Sequence, residues 1–360
     1  MPDLFLTPLH ARHKEQNARM VAFAGWDMPV QYVGIIAEHK HTRSKASIFD
    51  ICHMGEFLLE GKAARQSLEK ITTHNLKSLT PGRCAYGFLL NPEGGVLDDL
   101  IVYCLREDQY MLVVNGACTD SDFAWIRARL PKEVSFKDIS EQTAKIDLQG
   151  PKAYLVLENV LGHDFRSLKY FNFTHTEFQG GPLLVSRTGY TGELGYEFYV
   201  DADRASALWD KLLSDERVLP AGLGARDTLR LEMGYPLYGQ DLDTRHTPVE
   251  AGYQALLTSE ADYVGKDNAL RVRERLVGLE ISGRQSARHH NKMFLPSGRE
   301  VGVVTSGSFA PSLGHAIALA FVAADVAEEE NFLIDTGRTK LSAVRANTPF
   351  YKQGTARIKL

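Results

Sequence analysis

The stretch Asn91-Pro-Glu-Gly-Gly-Val-Leu-Asp98-Asp99-Leu-Ile-Val-Tyr103 decides how the first half of the chain is read. Two glycines open an apolar run with strand-like texture, and two carboxylates interrupt its middle. Residues 85–90 carry the same texture upstream. Downstream, Arg106-Glu-Asp-Gln109 is a polar turn into residues 110–115, as a hairpin requires. A further strand is expected at 55–61, and helices at 62–74 and 119–130. Residues 51–141 thus read as a self-contained α+β unit. Strand side chains alternate faces, so the spacing turns only one of Asp98 and Asp99 inward. An isolated buried carboxylate is costly, so that acid is held in an ion pair, set at a bulged edge, or kept for chemistry.

Working outward, residues 35–47 are polar and Gly-free and read as a helix. A second α+β block has strands at 144–148, 183–187 and 196–200, with a helix at 204–213. Another helix opens at Gln149-Gly-Pro151 and runs through Leu161, since proline suits a first helical turn. From about residue 275 the texture changes to short strand-like runs at 276–281, 300–306, 316–322 and 341–345. Gly and Pro punctuate them, which predicts a β-rich C-terminal domain.

Composition limits the function classes. The 360 residues are 24% charged and 44% apolar with a net charge of −4, which excludes collagen-like, coiled-coil and wholly disordered chains. The length predicts two or three domains. The slight acidity argues against a general nucleic-acid binder. No apolar run is long enough to span a membrane; the longest, 316–324, stops at Asp325. The start, Met1-Pro-Asp-Leu-Phe-Leu-Thr-Pro8, has an acid and two prolines where a signal peptide needs a basic region and an apolar core. Cys52, Cys84, Cys104 and Cys118 lie 32, 20 and 14 apart, a spacing for buried thiols in a reducing compartment. A cytoplasmic protein without a membrane or nucleic-acid partner is expected.

Two further stretches carry possible chemistry. In Ser186-Arg-Thr-Gly189-Tyr190-Thr-Gly192-Glu193-Leu-Gly195-Tyr196-Glu197, three glycines at three-residue spacing do not match the dinucleotide fingerprint, and a glycine-rich hairpin connection accounts for them. Glu197 stands between two aromatic residues, where its carboxylate suits an amidine-like N–H edge such as that of a pterin or a guanidinium. In Gly222-Leu-Gly-Ala-Arg226-Asp227, the Gly-x-Gly before a helical pattern lacks the rest of a phosphate loop. Arg226 and Arg230 are four apart on one helix face, placed for acids across a domain interface or for a neighbouring acid. Neither a Gly-x-Ser-x-Gly elbow nor metal-ligand spacing occurs. The expectation is a metal-free enzyme built on carboxylate, tyrosine and arginine side chains.

Seven motifs occur in order: Phe23-Ala-Gly-Trp-Asp-Met-Pro29, Phe49-Asp-Ile-Cys-His-Met-Gly55, Gly94-Gly-Val-Leu-Asp-Asp-Leu-Ile-Val102, Ser186-Arg-Thr-Gly-Tyr-Thr-Gly-Glu193, Gly222-Leu-Gly-Ala-Arg-Asp227, Leu237-Tyr-Gly-Gln-Asp241 and Thr305-Ser-Gly-Ser-Phe-Ala-Pro-Ser-Leu-Gly314. Together they closely resemble the glycine cleavage T-protein family, tetrahydrofolate-dependent aminomethyltransferases, from about Thr7 to Pro349. The resemblance implies an α+β, three-domain fold around a central folate channel, with a β-rich C-terminal barrel. Its domains would be 1–50 plus 142–265, the inserted 51–141, and 275–360. The implied reaction moves the methylene carbon from the aminomethyl-dihydrolipoyl arm of the partner H protein to tetrahydrofolate, releasing ammonia.

By the same resemblance Asp99 is the catalytic carboxylate. Glu197 reads the pterin N–H edge with Arg226 as its paired arginine, and Met54, Tyr86, Asn115, Tyr170 and Tyr190 wall the folate. Arg357 falls near the family position that contacts the folate tail. Cys52 replaces the family's common Ser. Two rivals share the fold. A folate-binding iron–sulfur assembly protein would carry Lys-Gly-Cys-Tyr-x-Gly-Gln-Glu, whereas this chain has Tyr235-Pro-Leu-Tyr-Gly-Gln-Asp241 without the cysteine. A free-standing folate-dependent demethylase would differ only in its carbon donor.

Overall fold

The strand Thr143–Gln149 places Ala144, Ile146 and Leu148 on one face and Lys145, Asp147 and Gln149 on the other, and all six are buried. Strand alternation normally turns polar residues to solvent, so a second layer must cover this polar face. The computed structural model of the chain, which describes residues 4–360, supplies it.

The strand is central in a six-stranded sheet of order Phe173–Phe178, Gly181–Ser186, Gly195–Asp201, Thr143–Gln149, Ala46–Asp50 and Val218–Pro220. Its pairings are antiparallel except the last, which is parallel. Helices Ala153–Leu161 and Ala205–Leu213 cover the apolar face, burying Ile146, Leu148, Val185, Phe198 and Trp209 in one core. A five-stranded antiparallel sheet faces the polar side, in the order Arg83–Leu90, Val96–Arg106, Gln109–Val114, Gly55–Glu60 and Ser135–Asp138. Its outer face packs Phe57, Leu59, Leu100 and Leu112 against Ile126 of helix Thr119–Arg127. Its inner face contributes Cys84, Tyr103, Met111 and Val113 to a layer shared with Phe173, Leu184 and Tyr199 of the first sheet.

The turn before the aspartates is fixed by its glycines. Gly94 takes φ +84°, a conformation that favours glycine. Gly95 N–H donates to Asn91 Oδ1 at 2.8 Å, and Asn91 N–H returns to the Gly95 carbonyl at 2.9 Å. A Cβ on Gly95 would overlap the Thr244 carbonyl, because residues 243–246 lie directly on this turn. Val96 N–H donates into that same segment, at the Asp243 and His246 carbonyls.

A closed six-stranded barrel completes the chain: Glu274–Ile281, His315–Ala323, Glu300–Ala310, Lys292–Phe294, Asn331–Asp335 and Lys340–Ala346. Helix Leu223–Glu232 docks it. The Arg230 guanidinium is 1% exposed and donates to Asp227 at 2.8 Å, Asp241 at 2.7 Å and Ser306 Oγ at 2.9 Å. Ser306 belongs to the barrel strand Glu300–Ala310, so one buried cation ties the helix, the 237–241 loop and the barrel together. Glu232 adds a second tie, accepting from the Ser312 backbone N–H at 2.8 Å and from Arg43 at 2.9 Å.

Several sequence expectations change. The helix expected over 35–47 ends at Ser44; Ala46–Asp50 is instead a strand with all five residues buried, because its neighbours pair with both edges. The 62–74 helix shrinks to Ala64–Glu69. The helix expected from Gln149 starts at Ala153, since Gly150 takes φ +142°, outside the helical region. Sequence reading also passes over the paired strands Arg19–Phe23 and Trp26–Gln31 and the edge strand Phe173–Phe178. All four cysteines are free and buried, as their spacing predicts.

Removing the Arg230 side chain leaves Asp241 as a buried charge without its cation. Arg230→Ala is expected to destabilise the protein by about 3 kcal/mol or more in denaturant unfolding, with the barrel-side transition most affected. A loss comparable to that of an exposed arginine would contradict the docking role.

Candidate active site

Asp98 and Asp99 alternate, with Asp98 fully buried and Asp99 half-buried. Asp98 pairs in register with Leu89 and turns toward the core of its own unit, whereas Asp99 pairs with Phe88 on the other face, where Phe88 packs with Leu242, Ala251 and Phe321. As the alternation predicts, only Asp98 is fully buried, and Asp99 lies half-buried on the other face of the sheet. Tyr86 O–H donates to Asp99 Oδ2 at 2.9 Å. Asn115, just beyond the strand Gln109–Val114, donates Nδ2–H to Asp99 Oδ1 at 2.9 Å and to Asp98 Oδ1 at 2.8 Å. Its backbone N–H donates to Asp98 Oδ2 at 2.9 Å. Asn115 therefore spends its amide hydrogens on the aspartates and keeps its carbonyl oxygen as an acceptor. Burial, then the neighbouring Asp98, pushes the Asp99 carboxyl up to about 7, against the pull of Tyr86 and Asn115.

On the opposing sheet, Glu197 is cross-strand partner to Asp147. Two carboxylates side by side on a buried face need two cations. Lys145 Nζ lies 3.1 Å from Glu197 Oε1, and Arg226 Nη1 donates to Asp147 Oδ2 at 2.6 Å. The arginine expected to pair with Glu197 is thus engaged by Asp147, because the strand register sets that acid beneath the helix Leu223–Glu232. Glu197 Oε2 accepts from the Thr188 hydroxyl at 2.5 Å. Burial pushes Glu197 up, but Lys145 and Thr188 outweigh it and hold the carboxyl below its ordinary range. Each Glu197 oxygen retains a lone pair beyond these contacts, so the pterin-reading role fits this donor set.

Aromatic rings stand around these two groups. Arg226 lies 5.1 Å from the Tyr190 ring centroid, and Tyr190 stacks on Tyr235 at 5.9 Å. The Tyr190 hydroxyl donates to the Pro236 carbonyl. Tyr86 meets Tyr253 edge to face at 6.1 Å. Burial and the Asp99 charge both raise the phenols of Tyr86, Tyr190 and Tyr253, which ties the two groups into one electrostatic neighbourhood. Met54 joins through its sulfur, 3.3 Å from Lys145 Nζ. Tyr170 is half-buried beneath the exposed Arg357, whose guanidinium is 5.6 Å from the ring.

Sequence reading missed Lys145, Asp147, Gln149 and Thr188. Their signal was present as polar residues at every second position of 145–149, but that pattern ordinarily marks a solvated face. It also missed Glu56. This side chain is fully buried, and neither carboxyl oxygen has a hydrogen-bond partner among the described residues. Burial drives its carboxyl well above the ordinary glutamate value, with the Lys145 charge opposing. Kept neutral, it leaves Lys145 and Arg226 balanced against Asp147 and Glu197.

An acid raised in the folded state contributes stability at low pH and loses it as pH climbs past the unfolded value, here 4.5. Glutamine has no such dependence. The melting temperature of Glu56→Gln relative to the parent is therefore expected to rise steadily between about pH 5 and pH 8. A pH-independent difference in thermal melts would show that Glu56 is ionised in the folded protein.

Comparison with known proteins converges with this architecture. A family model described as the GCVT N-terminal domain matches residues 9–260, and one described as the glycine cleavage T-protein C-terminal barrel domain matches residues 274–352. The chain is 44% identical over 330 residues to an aminomethyltransferase of Halothermothrix orenii, covering 89% of this chain and 92% of that one. It is 40% identical over 365 residues to an aminomethyltransferase of Desulforamulus reducens, covering 98% and 100%. The crystal structure of glycine cleavage system aminomethyltransferase T from Bartonella henselae superposes with a TM-score of 0.92 at 33% identity, over 98% of this chain and 99% of that one. Matched along nearly its whole length in sequence and in fold, the chain belongs to the glycine cleavage T-protein family of aminomethyltransferases.

Proposed function

We propose that the layer between the two sheets binds the pterin ring of tetrahydrofolate and that Asp99 is the catalytic carboxylate of the aminomethyl transfer. The observation that carries this reading is the Asp99 carboxyl itself, held by Tyr86 and Asn115 on a half-buried wall and raised to about 7. Tetrahydrofolate supplies the nucleophilic nitrogens that accept the one-carbon unit. Lipoylated H protein is the donor, and the net change yields 5,10-methylenetetrahydrofolate, ammonia and the reduced lipoyl arm.

The chain's own residues divide the work. Glu197 accepts from the pterin N–H edge, with Lys145 and Thr188 fixing its plane. Arg226, held by Asp147 beside Tyr190, adds a cation to the wall that would hold the ring. Met54, Tyr86 and Tyr170 wall the site and exclude water, and the Asn115 side-chain oxygen Oδ1 accepts a further N–H. Arg357, exposed over Tyr170, suits the anionic folate tail. Near neutral pH Asp99 is divided between its protonation states. It takes a proton at one carboxyl oxygen and, when ionised, stabilises positive charge developing beside it. We assign the folate wall to residues 1–50 with 142–265 and to the inserted 51–141, closed by 275–360, in a cytoplasmic enzyme.

The direct test is tetrahydrofolate-dependent ammonia release from H protein carrying an aminomethylated lipoyl arm. Release is expected only with both folate and this protein, and folate binding without release would favour a demethylase. Asp99→Asn is expected to cut turnover by about 100-fold or more while changing the folate dissociation constant less than about 3-fold. An equal loss of affinity would remove the separation of roles. Glu197→Gln, which replaces an acceptor with a donor at the N–H edge, is expected to weaken folate binding by about 1–3 kcal/mol in calorimetric titration. Unchanged affinity would refute the pterin-reading role.

A further inference from the structure

Behind the sheet, on the face turned away from the candidate site, a second group of acids lies against the back of Asp99. Asp98 and Asp122 are both buried, near enough for each carboxyl to act on the other's ionisation, and both acids raise the Cys118 thiol. Asp122 Oδ2 is buried without a hydrogen-bond partner among the described residues. Two ionised carboxylates in that position would repel strongly in a low-dielectric setting, and one proton held between them removes the repulsion.

The pair connects to Asp99 by geometry. Asp98 takes both the backbone N–H and the Nδ2–H of Asn115, at 2.9 and 2.8 Å, and the same Nδ2 donates to Asp99 Oδ1 at 2.9 Å. Asn115 therefore bridges acids on opposite faces of one sheet. The turn behind it is also fixed, with Cys118 N–H donating to the Asn115 carbonyl at 2.9 Å and Asp122 N–H to the Cys118 carbonyl at 2.8 Å. Asp122 sits in the first turn of helix Thr119–Arg127, so this helix presents the acid to the back of the active strand.

We propose that Asp98 and Asp122 share one proton and, acting through Asn115, form the positioning element that orients Asp99 from the far side of the sheet. The catalytic consequence rests on the reading of Asp99 given under Proposed function; the proton sharing does not. A proton passed sideways to Asp122 leaves lone pairs on both Asp98 oxygens for the two Asn115 donors. The other titratable groups facing the three acids are Tyr86, Tyr190, Tyr238, Tyr253 and Cys118. Burial pushes each of these phenols and the thiol above its ordinary value, away from neutrality.

The test follows the Asp99 carboxyl by NMR in protein labelled with 13C-carboxyl aspartate, its signal assigned by its loss in Asp99→Asn. In Asp122→Asn the single charge that the pair divides between its two carboxyls is confined to Asp98, so Asp99 titrates higher. In Asp98→Asn the nearer charge is removed and Asp99 titrates lower. Shifts of roughly half a pH unit to one unit, of opposite sign, are expected. Shifts of the same sign, or none, overturn the proposal. If Asp98→Asn does not fold, the upward shift in Asp122→Asn decides alone. These titrations hold whether or not Asp99 is catalytic, so failure of that reading shows separately, as full turnover in Asp99→Asn.

Turnover gives the positioning readout. Asp98→Asn leaves one acceptor for two Asn115 donors, and kcat is expected to fall about 10-fold or more with the folate KM changed less than about 3-fold. A rise in KM matching the fall in kcat overturns the positioning role.

Discussion

Two β-sheets packed face to face bury a polar layer, and the arrangement of the site follows from the need to pair every charge within it. Lys145, Asp147, Glu197 and Glu56 have lost their water. A buried carboxylate without a partner costs several kcal/mol or neutralises itself, so the layer resolves into two ion pairs and one neutral acid. The pairing fixes positions as well as charge. Lys145 and Thr188 hold the Glu197 carboxylate, and Asp147 holds Arg226 against Tyr190. A site with so little rotational freedom is preorganised, which is where much of the rate enhancement of a transferase originates.

The same constraint explains the two aspartates. One strand carries an acid to each of its faces, and the environments differ. Asp99 meets donors from Tyr86 and Asn115, while Asp98 meets Asn115 in front and another carboxyl behind. Asn115 is the element through which the two faces communicate. A single amide side chain at the end of the strand Gln109–Val114 holds both acids, so the hairpin that places it also sets the position of the two carboxyls. The glycine turn at 91–95 anchors the neighbouring strand against residues 243–246 and keeps the two acids in register with Asn115.

The barrel is joined to this centre by buried charge as well. Arg230, on the same helix as Arg226, reaches Asp241 and Ser306, so one helix sets an arginine on Asp147 and a barrel-facing arginine four residues apart. Any movement of the barrel is thereby coupled to the helix that positions Arg226.

Much of this was legible in the residues alone. The hairpin around Asp98 and Asp99, the strand bearing Glu197, the helix bearing Arg226 and the β-rich C-terminal unit follow from local periodicity and turn chemistry. The seven ordered motifs point to the family. Local pattern failed where long-range pairing overrides it. Ala46–Asp50 continues a polar helical stretch yet becomes a buried central strand, because open edges on both sides complete its hydrogen bonds. Lys145, Asp147 and Gln149 have the alternation of a solvated face, and nothing within five residues of them announces a second sheet. The amino-acid order by itself determined which side chains share a strand face and which charges are available. The tertiary structure alone decided which of those faces is dry, and so which charges must pair, since burial depends on the elements that pack from elsewhere in the chain.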